Sequence, residues 1–148
     1  MKRCFKIAQA NEVVVEGKVY DLHNFFDLSA VASFPGEKCF RVCFRRCYPA
    51  DLPAEERVEV CIEISNPHRV EVSADILRGE RRDLDELGYK APMDDDIEWL
   101  VAEEKSLEDY DLVLRFVGGG YIRLGGAVAK AFLIRRPEPV VSAFQDER

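Results

Sequence analysis

FDLSAVASF (26–34), CFRVCFRRC (39–47), RVEVCIEIS (57–65) and RVEVSADIL (69–77) decide the fold. Each alternates with a period of two. Phe26, Leu28, Ala30, Ala32 and Phe34 share one parity. So do Phe40, Val42 and Phe44, then Val58, Val60, Ile62 and Ile64, then Val70, Val72, Ala74 and Ile76. Successive side chains of an extended chain point to opposite faces, so the pattern predicts strands with one buried and one wet face. The opposite parity carries Cys39, Arg41, Cys43 and Arg45, then Arg57, Glu59, Cys61 and Glu63, then Arg69, Glu71, Ser73 and Asp75. Opposite charges on neighbouring strands contribute ~0.2–1 kcal/mol per pair, a structural use for much of this charge.

Working outward, Pro35-Gly36 is a turn signal and Asn66-Pro67-His68 reads as a short hairpin connection. Further strands are expected over 3–7, over 11–19 with a bend at Gly17-Lys18, over 111–117 and 121–124 around a triple glycine, and over 127–134. Residues 78–92 are mixed in charge and weakly periodic. The principal helix is expected from Asp94 or Asp95 to Lys105. Asp95 and Glu98 have capping-box spacing, and Ile97, Leu100 and Val101 line one face. The fold class predicted is α+β, mostly β: an antiparallel sheet or sandwich, a meander of six to eight strands, with one principal amphipathic helix. A single domain spans 1–134 and a C-terminal tail 135–148.

A chain of 148 residues, 47% apolar, holds a core without staples. No apolar run approaches the ~20 residues that span a bilayer, and MKRCFKIAQA lacks the apolar stretch of a signal peptide. The expected setting is cytoplasmic, with no membrane partner. The five cysteines are odd in number, so reduced thiols are expected.

The net charge of −7 is concentrated. Residues 94–111, DDDIEWLVAEEKSLEDYD, hold nine acids and one lysine, and the remainder is close to neutral. Such a balance disfavours nucleic acid as a partner. Cys39, Cys43 and Cys47 are evenly spaced, but on a strand neighbours four apart lie roughly 13 Å from one another, too far to share one ion. Cys61 can sit across from one of them, giving at most a pair. His23 and His68 are the only histidines, and neither falls into a catalytic motif with a cysteine or serine. Gly120 and Gly125 have the gap of a phosphate loop, but Gly126 and Ala127 replace its Lys and Ser or Thr. Asp94, Asp95, Asp96 and Glu98 lack the glycine and the distant Glu of a calcium loop. No catalytic residue, metal ligand or cofactor is assigned.

Trp99 stands apart. At 100° per residue it lies about 160° from the Ile97/Leu100/Val101 stripe, on the face of Asp95, Asp96 and Glu103. An aromatic ringed by acids has the composition of a binding hot spot. The expected function is therefore that of a small acidic, non-enzymatic interaction protein of inhibitor, immunity or adaptor type. It would bind a basic protein through Asp94, Asp95, Asp96, Trp99 and Glu103. The alternatives are an enzyme or small-ligand binder with a pocket between sheet and helix, and a structural subunit that self-associates into a homo-oligomer through a sheet edge.

Overall fold

The alternating segments do form strands, in a computed structural model that describes residues 1–79 and 82–136. In chain order they are β1 (Lys2–Arg3), β2 (Lys6–Gln9), β3 (Glu12–Val15), β4 (Lys18–Asp21), β5 (Phe26–Phe34), β6 (Cys39–Arg46), β7 (Val58–Ser65) and β8 (Arg69–Val72). A single helical turn, α1 (Ala74–Leu77), precedes β9 (Leu84–Lys90), β10 (Asp111–Phe116), β11 (Tyr121–Gly125) and β12 (Val128–Arg135).

Three sheets result. The first has the order β1-β12-β7-β6-β5, the second β8-β11-β10-β9, the third β2-β3-β4. Every pairing is antiparallel except β1 with β12. The inward residues of all three meet in one core, including Val13, Phe40, Val42, Phe44, Val60, Ile62, Ile64, Leu112, Leu114 and Ile122. Phe44 and Phe116 stack across the first two sheets with ring centroids 6.3 Å apart. The expected mostly β, antiparallel class is observed, as twelve strands in three sheets among the described residues rather than one meander of six to eight.

Four expectations are corrected. Residues 94–105 do not form an α-helix: only Glu103–Lys105 turns, as a 3-10 helix, and α1, with four residues, is the only α-helix among the described residues. The strands over 57–65 and 69–77 are not a hairpin. The Asn66 N–H donates to the Lys38 carbonyl and extends the β6–β7 ladder, whereas the His68 N–H donates to the Gly125 carbonyl and opens the β8–β11 ladder. Asn66-Pro67-His68 therefore carries the chain from one sheet to the other. The 69–77 segment stops at Val72, where the Tyr121 N–H donates to the Ser73 hydroxyl and α1 follows. The 11–19 segment is likewise two strands, folded at Glu16-Gly17, whose positive φ angles of 53° and 77° suit a two-residue hairpin.

Parity also slips within β5. Leu28 faces Phe44 and Ala30 faces Cys43, so Ser29 is an extra residue, its hydroxyl donating to the Cys43 carbonyl. Such a bulge turns every later side chain to the other face. Ala30, Ala32 and Phe34 therefore lie with Cys43, Arg41 and Cys39, outside the core. The tail expected over 135–148 lies outside the described residues beyond Arg136. Arg135 still pairs with Val58.

β7 is the central strand, buried on both faces. Val60, Ile62 and Ile64 are fully enclosed on one side, and Glu59, Cys61 and Glu63 on the other are also buried. The expected wet face is closed over by ion pairs: Glu63 with Arg41 and Lys130, Glu59 with Arg136. Val70, expected in the core, is 42% exposed. Ile62→Ala should cost ~2–5 kcal/mol in urea denaturation, because it opens a cavity. Val70→Ala should change stability by no more than about 0.5 kcal/mol, as exposed positions do. Equal losses at the two positions would contradict this placement.

Candidate functional site

The acidic stretch lies between β9 and β10, and what holds it there is a buried arginine. Arg123 of β11 stands opposite Val113 and Glu71, on the sheet face turned away from the core, and is 1% exposed. Its Nε donates to Asp111 Oδ2 at 2.9 Å. Nη2 donates to the Ala91 carbonyl at 2.9 Å, and Nη1 to the Asp94 carbonyl. Arg69 of β8 adds a bond to the Pro92 carbonyl and another to Asp111, both 2.9 Å. Arg115 of β10 donates to the carbonyls of Ile97 and Glu98. Tyr89 and Val101 exchange backbone hydrogen bonds at 2.9 and 2.8 Å.

This accounts for the missing helix. A helix needs each carbonyl for the N–H four residues on. Here the carbonyls of 91, 92, 94, 97, 98 and 101 are taken by arginines and by β9. The acids compete for the N–H groups as well. Asp94 Oδ1 accepts from the Asp96 N–H at 2.9 Å, and Asp96 Oδ1 from the Glu98 N–H at 2.7 Å. Asp readily makes such local turns in place of helix. The loop also lies flat on the sheet at Gly88, where an added Cβ would come within 2.9 Å of Leu100 Cβ. At its far end, Arg3 donates to the Leu107 carbonyl and to the Ser106 hydroxyl.

The five expected site residues fall on this one loop, but they do not share one face. Asp95 is 93% exposed at its side chain. Asp96 is exposed too, and Trp99 is 76% exposed. Asp94 is partly engaged. The Asp96 N–H and the Lys90 ammonium, 3.2 Å away, hold its carboxyl below the usual carboxylate range. Glu103 turns towards β2, where it accepts from the Ile7 N–H at 3.2 Å. The helical geometry that grouped Glu103 with Trp99 does not apply.

The sequence reading missed the neighbours of Trp99. Asp85, Glu86 and Glu98 line the groove beside the indole, together with Arg115, Phe116 and the Gly118-Gly119 turn. Asp85 and Glu86 belong to β9, an acidic strand hidden in the weakly periodic 78–92 segment. Met93, 92% exposed, projects from the same loop. The missed holding residues, Arg69, Arg115 and Arg123, leave no local signal near 94–105.

Other candidate chemistry is dispersed. All five cysteines are free thiols. Cys43 pairs across the strands with Cys61, as the spacing allowed, while Cys39 stands opposite Ser65. Burial pushes the Cys47 thiol up to about 11, with Asp27 adding to the shift, which makes it a poor nucleophile. Among the described residues no group of three His, Cys, Asp or Glu side chains is placed to hold a metal ion, and no helix is long and apolar enough to cross a membrane.

Arg123→Lys should free the loop, because an ammonium cannot reach Asp111 and the carbonyls of 91 and 94 together. The charge opposite Asp111 is kept, and losing the buried hydrogen bonds to the two carbonyls should cost ~1–3 kcal/mol. Cleavage by a Glu-specific protease at Glu98 should accelerate in the variant, and an unchanged digestion rate would contradict the holding role. Trp99 is the only tryptophan, so its fluorescence reports this loop directly. Relative to a neutral free tryptophan derivative, the ratio of caesium to iodide quenching should be raised at matched ionic strength, because the exposed acids attract the cation. Comparison with protein-family models, curated proteins and solved structures finds no match to this chain.

Proposed function

We propose that this chain is a non-enzymatic interaction protein that docks a basic protein partner in the cytoplasm through its acidic loop, with Trp99 as the anchor. The neutralisation of a basic toxin or nuclease is a job of this kind. The observation that carries the reading is an indole 76% exposed on a loop whose backbone is pinned by a buried guanidinium. Tryptophan is highly buried on average, so an indole this exposed stands out, and a loop already held in place loses little freedom on binding.

The two components have separate work. Asp95, Asp96 and Glu98 set up a field that speeds encounter with a cationic surface and weakens as salt rises. Trp99 supplies buried area and a snug contact, which governs dissociation. The alternative of a ligand pocket between sheet and helix loses its helical wall, since no α-helix forms over 94–105. The alternative of self-association through a sheet edge finds β9 already covered by Ala10 and Val101, whose carbonyls accept from Leu87 and Tyr89, and would have to use another edge such as β5 or β8.

The test is capture of partners from the native host on immobilised wild-type protein, followed by association kinetics of the retained protein. Combined Asp95→Asn, Asp96→Asn and Glu98→Gln should slow association and flatten its salt dependence. Asn at 96 keeps the oxygen that caps Glu98, so the loop is preserved. Trp99→Ala should speed dissociation by ~30-fold or more, equivalent to ~2 kcal/mol. A native partner that binds all these variants with wild-type rates would remove this surface from consideration.

A further inference from the structure

Cys43 and Cys61 are register partners on the outer face of the five-stranded sheet, on adjacent antiparallel strands. Their sulfur atoms lie 2.6 Å apart, with the Cys61 thiol donating to Cys43. The ladder fixes the kind of pair they form. The Asn66 N–H bonds to the Lys38 carbonyl, and hydrogen-bonded and non-hydrogen-bonded pairs alternate from there. Lys38 and Asn66 form a bonded pair, so Cys39/Ser65, Arg41/Glu63 and Cys43/Cys61 are non-bonded ones. At such pairs the Cα atoms approach to ~4.5 Å, within the ~4.4–6.8 Å that a disulfide spans. No strand has to move for the two sulfurs to join.

The two thiols are also unequal. Cys61 is fully buried, while Cys43 is half-buried and reachable from solvent. The hydrogen bond from Cys61, ahead of the opposing effect of burial, lowers the Cys43 thiol from its ordinary value. The same hydrogen bond, and then burial, raises Cys61. A more accessible thiol that ionises more readily beside an inaccessible one is the arrangement of an attacking and a resolving cysteine. Cys39 and Cys47 have no cysteine opposite them: Cys39 faces Ser65 and Cys47 contacts Asp27.

We propose that Cys43 and Cys61 form a thiol–disulfide exchange site that takes a low-molecular-weight disulfide as its oxidant and closes to a cross-strand disulfide between β6 and β7. The Cys43 thiolate attacks one sulfur of the small disulfide, whose S–S bond breaks and releases one thiolate, which takes up a proton. Cys43 then carries the mixed disulfide. Cys61 gives up its proton and attacks the Cys43 sulfur. The Cys43–Cys61 bond forms and the second small thiolate leaves, taking up that proton. Two thiols are oxidised, one small disulfide is reduced to two small thiols, and the protein loses two hydrogens. The site is independent of the acidic loop, which lies on the other sheet.

The experiment exposes the full chain to oxidised glutathione at mildly alkaline pH, blocks remaining thiols by alkylation and maps every cysteine by mass spectrometry. Exposed Cys4 serves as an internal check that the reagent is active. In wild type, peptides containing Cys43 and Cys61 should appear joined, two hydrogens lighter than the separate thiols and free of glutathione. Cys61→Ser should accumulate glutathione on Cys43. Cys43→Ser should leave Cys61 unmodified until the chain is unfolded. The proposal is overturned if wild-type Cys43 and Cys61 both remain free while Cys4 reacts, if glutathione persists on Cys43 without closure, or if either cysteine joins a different one. The wild-type map decides the matter even if a variant fails to fold.

Discussion

A guanidinium that is 1% exposed must have its charge met and its donors satisfied, and that requirement at Arg123 organises one side of the molecule. Burying a charge costs several kcal/mol unless partner and hydrogen bonds are both in place. Asp111, equally buried, supplies the charge through Oδ2, an oxygen it shares with Arg69. The other donors of Arg123 need acceptors, and a sheet has none to spare, because its carbonyls are committed to the ladders. The carbonyls of Ala91 and Asp94 fill the gap only if their segment stays out of a helix. The geometry of the candidate site is therefore a consequence of how β11 neutralises one side chain.

That dependence explains which parts of the structure were legible. The strands over 39–47 and 57–65 were, because Phe40, Val42, Phe44, Val60, Ile62 and Ile64 carry their burial in their own spacing. The loop over 94–105 was not. Asp95, Glu98, Ile97, Leu100 and Val101 make a locally sound helix, and the partner that overrides it is 29 residues from Asp94 along the chain. Propensity is a weak prior against a long-range interaction of this size. β9 was hidden for another reason. Leu84 pairs with Phe116 and Glu86 with Arg115, so Asp85 is an extra residue and the period breaks within the strand. The bulge at Ser29 concealed the turnover of β5 in the same way. The acidity of the site and the exposure of its tryptophan were legible in outline, whereas the grouping of Glu103 with Trp99 rested on the helix and fell with it.

The outer face of the five-stranded sheet shows the opposite failure. Its charges were read correctly as cross-strand pairs, but a half-wet sheet was expected around them. Glu59 and Glu63 are instead each 7% exposed. Arginine and lysine lay their aliphatic stems across a surface while their heads reach an acid. Arg41, Lys130 and Arg136 do so here, and the Arg41 guanidinium also sits 4.6 Å from the Phe34 ring centroid. The alternation of the sequence shows which side chains share a face, but not how completely their neighbours cover it.

The same accounting divides six of the nine acids of the 94–111 segment into two populations. Asp111 is spent inside, between Arg69 and Arg123. Asp94 is tied to Lys90, and Glu103 caps the Ile7 N–H. Their charge is offset or committed locally, so it adds little to the field beyond the surface. Asp95 stands 93% exposed with Arg69 no closer than 3.9 Å, a separation at which an exposed pair contributes at most about 1 kcal/mol. Asp95, Asp96 and Glu98 thus project charge outward, whereas Asp85 and Glu86 across the groove are offset by Arg115. Fields of this kind act over a Debye length of ~8 Å at physiological salt, farther than any van der Waals contact. The indole acts only at contact. A partner drawn in by the outward acids meets Trp99 on a backbone that Arg123 and Arg115 have already set, and the buried acid that makes Arg123 tolerable is what keeps the exposed ones where they are.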